Sequence, residues 1–245
     1  MVNTNPRKHF ITFGAGDINF VEAAQRLEKQ VRSLNLYDEI TVFTCENSND
    51  ENDLQNDPIF WNKHKDFIKK NKRGYGYWIW KSYIIKKTLE KIPEGDILLY
   101  LDAGCEVDIR KKHIMKQFFD YINDNLIITS PNWPEYMWNK MDLIEHLQMN
   151  NKKHLDSWQH QGGVIMFLKC SKTMKLVNEW YNNACKYNLL DDTPSKIPNL
   201  PGFVEHRHDQ SIFSLLVKKN NFNIKKNLNE CVEIIWSRSG KSNLK

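Results

Sequence analysis

Cysteine is sparse in this chain. The 245 residues contain five, Cys45, Cys105, Cys170, Cys185 and Cys231. No two are spaced as C-x-x-C and the number is odd, so a disulfide framework and a zinc site both lack support and reduced thiols are expected. The first residues, MVNTNPRKHF, hold no apolar stretch of signal-peptide length. No apolar run reaches the length of a transmembrane segment. These absences lead to the expectation of a cytoplasmic protein. HExxH, P-loop and GxSxG signatures are missing too, which leaves zinc-protease, P-loop kinase and α/β-hydrolase chemistry without a basis. There is no internal repeat and no linker, so 1–245 is read as a single domain.

What is present is an ordinary globular composition: 40% hydrophobic and 27% charged residues. Aromatics make up 12%, including eight tryptophans. An aromatic face suits core packing, and equally a sugar, a base or a peptide. The net charge of +5 is spread over lysine-rich helix faces. Solvated surface explains most of it, with room left for an anionic ligand such as a nucleoside diphosphate, or a membrane surface.

The hydrophobic pattern predicts an α/β fold. His9–Phe13 reads as a strand, followed by the turn Gly14-Ala15-Gly16-Asp17. A helix follows with Phe20, Ala24, Leu27, Val31 and Leu34 at helical spacing, and Asn19 with Glu22 as a capping box. Glu39–Thr44 is the next strand, which completes a β-α-β unit and predicts a mostly parallel central sheet flanked by helices. Asn47–Asp57 reads as an exposed loop, Tyr77–Ile92 and Arg110–Asn123 as helices, and Ile97–Leu101 and Leu126–Thr129 as strands. A loop with a helix near Met137–Met149 comes next. Val164–Leu168 is a strand, Ser171–Asn188 a helix capped by Ser171, Asp191–Gly202 a proline-rich loop and Asp209–Lys219 a helix. Phe222–Lys226 and Cys231–Trp236 read as late strands.

Four segments carry chemistry. In GDILLYLDAGCEV a buried strand runs into Asp102, then the small residues Ala103 and Gly104. Ligands of open α/β sheets bind beyond the carboxyl ends of strands, and a carboxylate there can hold a hard cation such as magnesium or manganese that bridges two phosphates. A turn or helix cap is the plain structural alternative for Asp102. Upstream, KRGYGYWIWKSYII offers Arg73 and Lys81 as cations for a diphosphate, among aromatics that also suit a helix core. Its GYG opens no helix after a strand, so it is not a dinucleotide fingerprint. In HQGGVIMF the polar His160 and Gln161 meet Gly162 and Gly163, and glycines at a strand entrance let a ligand or a second backbone come close. In EHRHDQSIF, His206 and His208 alternate, and Asp209 reads equally well as a helix N-cap.

GYGYWIWKSYII, GDILLYLDAGCEV, HQGGVIMF and HRHDQSIFSLL, in this order, resemble the GT-A-fold glycosyltransferases, in particular small bacterial and large-DNA-virus enzymes with a YWIWKPYII…DILLYLDAG pattern. The likeness spans about residues 8 to 236. It implies a nucleotide-sugar part over about 8–110, which includes Phe13 and Gly14, and an acceptor and catalytic part over about 126–236. It implies transfer of a sugar from a nucleoside-diphosphate donor, a UDP-sugar favoured, to a glycan or glycoconjugate hydroxyl, with no nucleic-acid partner. By the same likeness Arg73, Lys81, Asp102, Ala103 and Gly104 would bind the donor, Gln161 to Gly163 would border the sugar, and Asp209, Gln210 and His208 would be catalytic. The family's metal motif is Asp-x-Asp. Asp102 matches its first acid and Gly104 replaces the second, so a divalent cofactor would need help from His208 or Asp209, or cations would take its place. Ser82 stands where the pattern often has proline.

Two alternatives stay open on the residues. A sugar-phosphate nucleotidyltransferase would normally carry a basic glycine-rich loop after its first strand, where Asp17 stands instead. A non-catalytic carbohydrate- or nucleic-acid-binding protein would have no need of Asp102 and would show a basic stripe.

Overall fold

The computed structural model describes residues 6–233, together with 241, 242 and 244. A five-stranded sheet lies at its centre, with the strands side by side in the order Glu39–Phe43, Lys8–Phe13, Ile97–Leu101, Trp158–Leu168 and Ile127–Pro134. The strands are β1 (Lys8–Phe13), β2 (Glu39–Phe43), β3 (Ile97–Leu101), β5 (Ile127–Pro134) and β6 (Trp158–Leu168). β1 is parallel to β2 and β3, whereas β6 is antiparallel to both β3 and β5. Four of the five strands therefore run the same way, and β6 alone runs against them. β4 (Glu106–Val107) and β7 (Val232–Glu233) form a small antiparallel pair.

The apolar runs are continuous because both faces of the sheet are covered. Leu98 and Tyr100 of β3 face one core, which also holds Ile85 and Leu89 of helix Ile79–Lys91, Leu176 and Trp180 of helix Ser171–Ala184, and Phe213 of helix His208–Lys219. Ile97, Leu99 and Leu101 face the other, with Leu27 and Val31 of helix Ile18–Leu34 and Phe118 and Ile122 of helix Lys112–Asn125. Alternate residues of one strand thus serve opposite cores.

Several local expectations are corrected. The N-cap of the first helix is Asp17, which accepts from the Asn19 N–H at 2.8 Å; Asn19 already lies within the first turn, so no Asn19–Glu22 box forms. Phe20 is 40% exposed and leaves the core to its neighbours. The stretch 47–57 is not all exposed: Asp53 and Leu54 are buried, and Asp53 gathers the Glu46 and Ser48 N–H groups. An unforeseen helix, Pro58–Lys70, follows, with Asp57 as N-cap and Pro at its first position. A buried histidine, His64, interrupts its apolar stripe, held by the Tyr181 and Tyr187 hydroxyls.

The helix expected from Tyr77 begins at Ile79, because Gly74 to Trp78 all have positive φ and form one left-handed turn. The region 137–149 breaks into Glu135–Trp138 and Met141–His146, since Lys140 is extended and its ammonium is drawn to the Asp191 carbonyl at 2.9 Å. Cys170, not Ser171, caps the next helix, which stops at Ala184. Phe222–Lys226 is not a strand; Asn227 makes one isolated bridge to Thr129. The expected last strand is present as β7, and 234–236 lie outside the described residues.

Candidate active site

Asp102 follows β3 at its carboxyl end. Period-two geometry puts it on the same side as Tyr100, and the Tyr100 hydroxyl donates to Asp102 Oδ1. Lys81 reaches the same oxygen from the first turn of helix Ile79–Lys91, with Nζ at 3.2 Å. The Lys81 ammonium lies 2.8 Å from Asp209 Oδ2 as well. One buried cation therefore joins two carboxylates that are 107 positions apart in sequence. The three side chains are unequally sealed: Lys81 is 4% exposed, Asp209 5% and Asp102 36%. Only Asp102 offers solvent a substantial face.

Electrostatics follow from this geometry. Burial opposes the charge on Lys81, but Asp102 and Asp209 outweigh it and hold the ammonium above its usual value. Burial pushes the Asp209 carboxyl up to about 6; Asp102 adds to the rise and Lys81 opposes it. The Tyr100 phenol is raised by burial and by Asp102, so it stays a proton donor to the carboxylate.

Glycines shape the floor. β6 is longer than expected, so Gly162 and Gly163 lie within it and not at its entrance. The Gly163 carbonyl accepts from the Asp102 N–H at 2.8 Å. A Cβ on Gly163 would come within 2.5 Å of Asp102 Oδ2, so this position needs glycine for close approach. Gly162 N–H donates to Gln210 Oε1 at 3.1 Å, and Gln210 Nε2 donates to Gln159 Oε1 at 2.5 Å. The Gln161 carbonyl takes the Thr129 hydroxyl, and its side chain reaches the Pro131 carbonyl at 3.2 Å.

The remaining expected residues fall into two groups. Ala103 and Gly104 form the turn after β3 beside Asp102, and Ala103 packs on Ala23 and Ala24. Phe13 is buried and stacks on Trp80 at 3.8 Å between ring centroids, and a Cβ on Gly14 would meet Ala24 at 2.6 Å. Both positions serve the packing of β1 against its helices. His208 is buried in a left-handed conformation, donates its Nδ1–H to the Leu190 carbonyl at 2.8 Å, and stacks on Trp78. Burial pushes its imidazole down to about 4, so it is neutral near neutral pH. Asp209 is not the N-cap of its helix; Arg207 holds that place and Asp209 turns inward to Lys81.

Arg73 lies on the rim, 3.1 Å from Asp192 and 3.4 Å from Glu205, and Arg207 is 3.3 Å from Glu205. The sequence did not point to Arg207, Tyr100 or Arg26. Arg26 Nη2 donates to the Ala103 and Cys105 carbonyls at 2.8 and 2.9 Å and so braces the turn after Asp102. Tyr100 was legible in principle, as a residue two before a strand-end acid; Arg26 has no signal outside the fold. Glu135 was also missed. It is fully buried and takes Ser214, the Lys218 ammonium at 2.6 Å, Asn139 at 2.6 Å and Gln159 at 3.2 Å, which anchors the Gln159–Gln210 link.

The residues do not assemble a two-acid metal centre. Among the described residues no three His, Cys, Asp or Glu side chains converge. Asp102 Oδ1 is shared by Lys81 and Tyr100, Asp209 faces Lys81, His208 is bonded elsewhere, and Glu106 is buried with Gln30 at 2.9 Å.

No protein-family model matches the chain, and no curated protein matches it in sequence. Solved structures do resemble it. Mouse xyloside xylosyltransferase 1 in its apo form is similar at 9% identity and a TM-score of 0.44, over 89% of this chain and 85% of that one. A glycosyltransferase involved in glycosylation of the major capsid of PBCV-1 is similar at 14% identity and a TM-score of 0.40, over 72% and 66%. The galactosyltransferase LgtC with donor and acceptor sugar analogs is similar at 14% identity and a TM-score of 0.43, over 84% and 70%. These likenesses are distant, and the functional conclusion rests on the site. Among the described residues no helix is long and apolar enough to cross a membrane.

Proposed function

We propose that this protein is a glycosyltransferase that uses a nucleoside-diphosphate sugar, a UDP-sugar by preference, and delivers the sugar to a glycan or glycoconjugate hydroxyl. The observation that carries the reading is the convergence of Lys81, Asp102 and Asp209 at the carboxyl end of β3, over the glycines of β6. Crevices at this end of an α/β sheet are where ligands bind.

Asp102 is the carboxylate that meets solvent, so it is the one to accept hydrogen bonds from the donor sugar. Asp209 is buried beside Gly162, where an added Cβ would stand 3.3 Å from its Oδ2. It is the candidate base for the acceptor hydroxyl if the reaction inverts configuration, because its raised pKa suits proton transfer near neutrality. Gln210 has both ends of its amide bonded to the protein, which suits a role in holding β6 and Asp209 in register. Arg73 and Arg207 are the rim cations a diphosphate would meet, in competition with Asp192 and Glu205.

The test is a donor screen. UDP-, GDP- and CMP-sugars are each incubated with the wild-type protein and with Asp102→Asn, and release of free nucleotide is followed with and without candidate sugar acceptors. One donor is expected to be consumed by wild type and not by the variant. If no donor is consumed and none raises the melting temperature, the reading fails and a non-catalytic binding protein takes its place.

A further inference from the structure

The site has an odd charge arrangement. A chain with one acid at the strand end, followed by Ala103 and Gly104, still brings a second carboxylate to that position, from the start of helix His208–Lys219. What lies between the two is an ammonium, at 3.2 Å from one oxygen and 2.8 Å from the other. Lys81 is held by more than these two contacts. The Tyr100 and Trp80 rings flank it, with centroids at 5.6 and 5.9 Å. Its backbone N–H is bonded to the Trp78 carbonyl at 3.0 Å, directly after the left-handed turn that sets the start of its helix.

We infer that Lys81 is the resident counter-ion of this site and stands in place of a divalent cation between Asp102 and Asp209. The inference rests on the glycosyltransferase reading only for the nucleotide that enters. The rest is geometry. A cation bound at Asp102 would find one carboxylate oxygen, Oδ2, not already taken by Lys81 and Tyr100. It would also lie beside a positive charge that cannot withdraw, since Lys81 is 4% exposed and its stem is enclosed by the core. Divalent cations held by oxygen ligands need several such ligands, and a neighbouring ammonium repels them. A fixed lysine supplies one positive charge without a metal-binding step. The charge is available to carboxylates only, so the diphosphate itself is left to the rim arginines.

Three measurements decide it. Manganese is titrated into wild-type protein and followed by the electron paramagnetic resonance signal of the free ion. No stoichiometric uptake is expected, and uptake lost in Asp102→Asn overturns the inference. UDP binding is then measured by calorimetry with manganese and with EDTA. Affinities within twofold of each other support it, and a loss of tenfold or more in EDTA overturns it. Failure of UDP, GDP and CMP to bind in either condition counts against the glycosyltransferase reading, and the manganese titration still decides the present point. Finally, Lys81→Ala leaves two carboxylates facing an emptied space. Where this variant folds, it is expected to take up one manganese at least tenfold more tightly than wild type, and to lose that uptake when Asp209→Asn is added. A folded Lys81→Ala protein that takes up none overturns the inference. If the variant does not fold, the two wild-type measurements stand.

Discussion

β3 has a carboxylate at each end. Asp96 precedes its first residue and Asp102 follows its last. Asp96 is fully sealed: it bonds to His9 Nε2 at 2.9 Å and accepts from the Arg7 N–H at 3.0 Å. Asp102 is 36% exposed, and its two identified partners, Lys81 and Tyr100, both lie on one oxygen. A carboxylate whose bonds are completed by the protein closes an edge of the fold. One braced on one side and open on the other keeps acceptor capacity for something that arrives from solvent. The same residue type on the same strand thus serves structure at one end and, in our proposal, recognition at the other. Glu135, sealed by four groups, belongs with Asp96.

Substituting the two acids tests this contrast most directly. Asp102→Asn is expected to lower nucleotide-sugar turnover by about 100-fold, the scale of a lost transition-state interaction, with most of the folded stability kept. Asp96→Ala is expected to cost about 2–3 kcal/mol of stability, because it removes the partner of the buried His9 Nε2 and of the Arg7 N–H, while the folded fraction turns over normally. Urea denaturation and steady-state rates on both variants check the pair. Equal loss of activity in both would erase the distinction.

The pH dependence should separate the open end further. Asp209 has its folded value raised to about 6 from the ordinary 3.8 by burial. A raised acid binds its proton more tightly when folded, so its contribution to stability is greatest at acid pH and is lost as pH rises from about 4 to about 6. If the ionised carboxylate is the base, the rate should climb through a pH of about 6, and Asp209→Asn should remove that limb while Asp96→Ala retains it. A pH–rate profile on the three proteins is the check.

A smaller effect is expected at Gly163. Alanine there would place a methyl within 2.5 Å of Asp102 Oδ2, at a cost of about 1–3 kcal/mol from overpacking and with weaker donor binding, measured by thermal melts and calorimetry. The smallest is at the rim. Arg73→Ala removes ion pairs between groups that are all more than 40% exposed, worth about 0–1 kcal/mol to stability. Its signature should be a higher KM for the donor, with the melting temperature almost unchanged.

Much of this molecule was legible along the chain. The strands β1, β2 and β3 announced themselves as apolar runs bounded by turn residues, and helix Ile18–Leu34 as a 3.6-residue stripe. The four chemical segments were visible too, and Lys81, Asp102 and Asp209 were all named from them. Helix Pro58–Lys70 was missed because His64 breaks its apolar stripe, and tyrosines of distant helices satisfy that ring. Asp209 as a helix cap was the natural local reading, and burial beside Lys81 overrode it.

The sequence by itself determined that the core strands and helix Ile18–Leu34 exist and that Lys81, Asp102 and Asp209 are candidates for chemistry, since periodicity and nearby turn residues carry those signals, whereas the starts at Ile79 and Trp158 were set by the fold. Tertiary structure alone decided what each charge faces. The meeting of Asp102, Lys81 and Asp209, the turning of His208 away from solvent, and the sealing of Asp96 all come from segments remote in the chain. An electrostatic partner acts through distance in space, within a few ångströms, and no spacing in sequence encodes that.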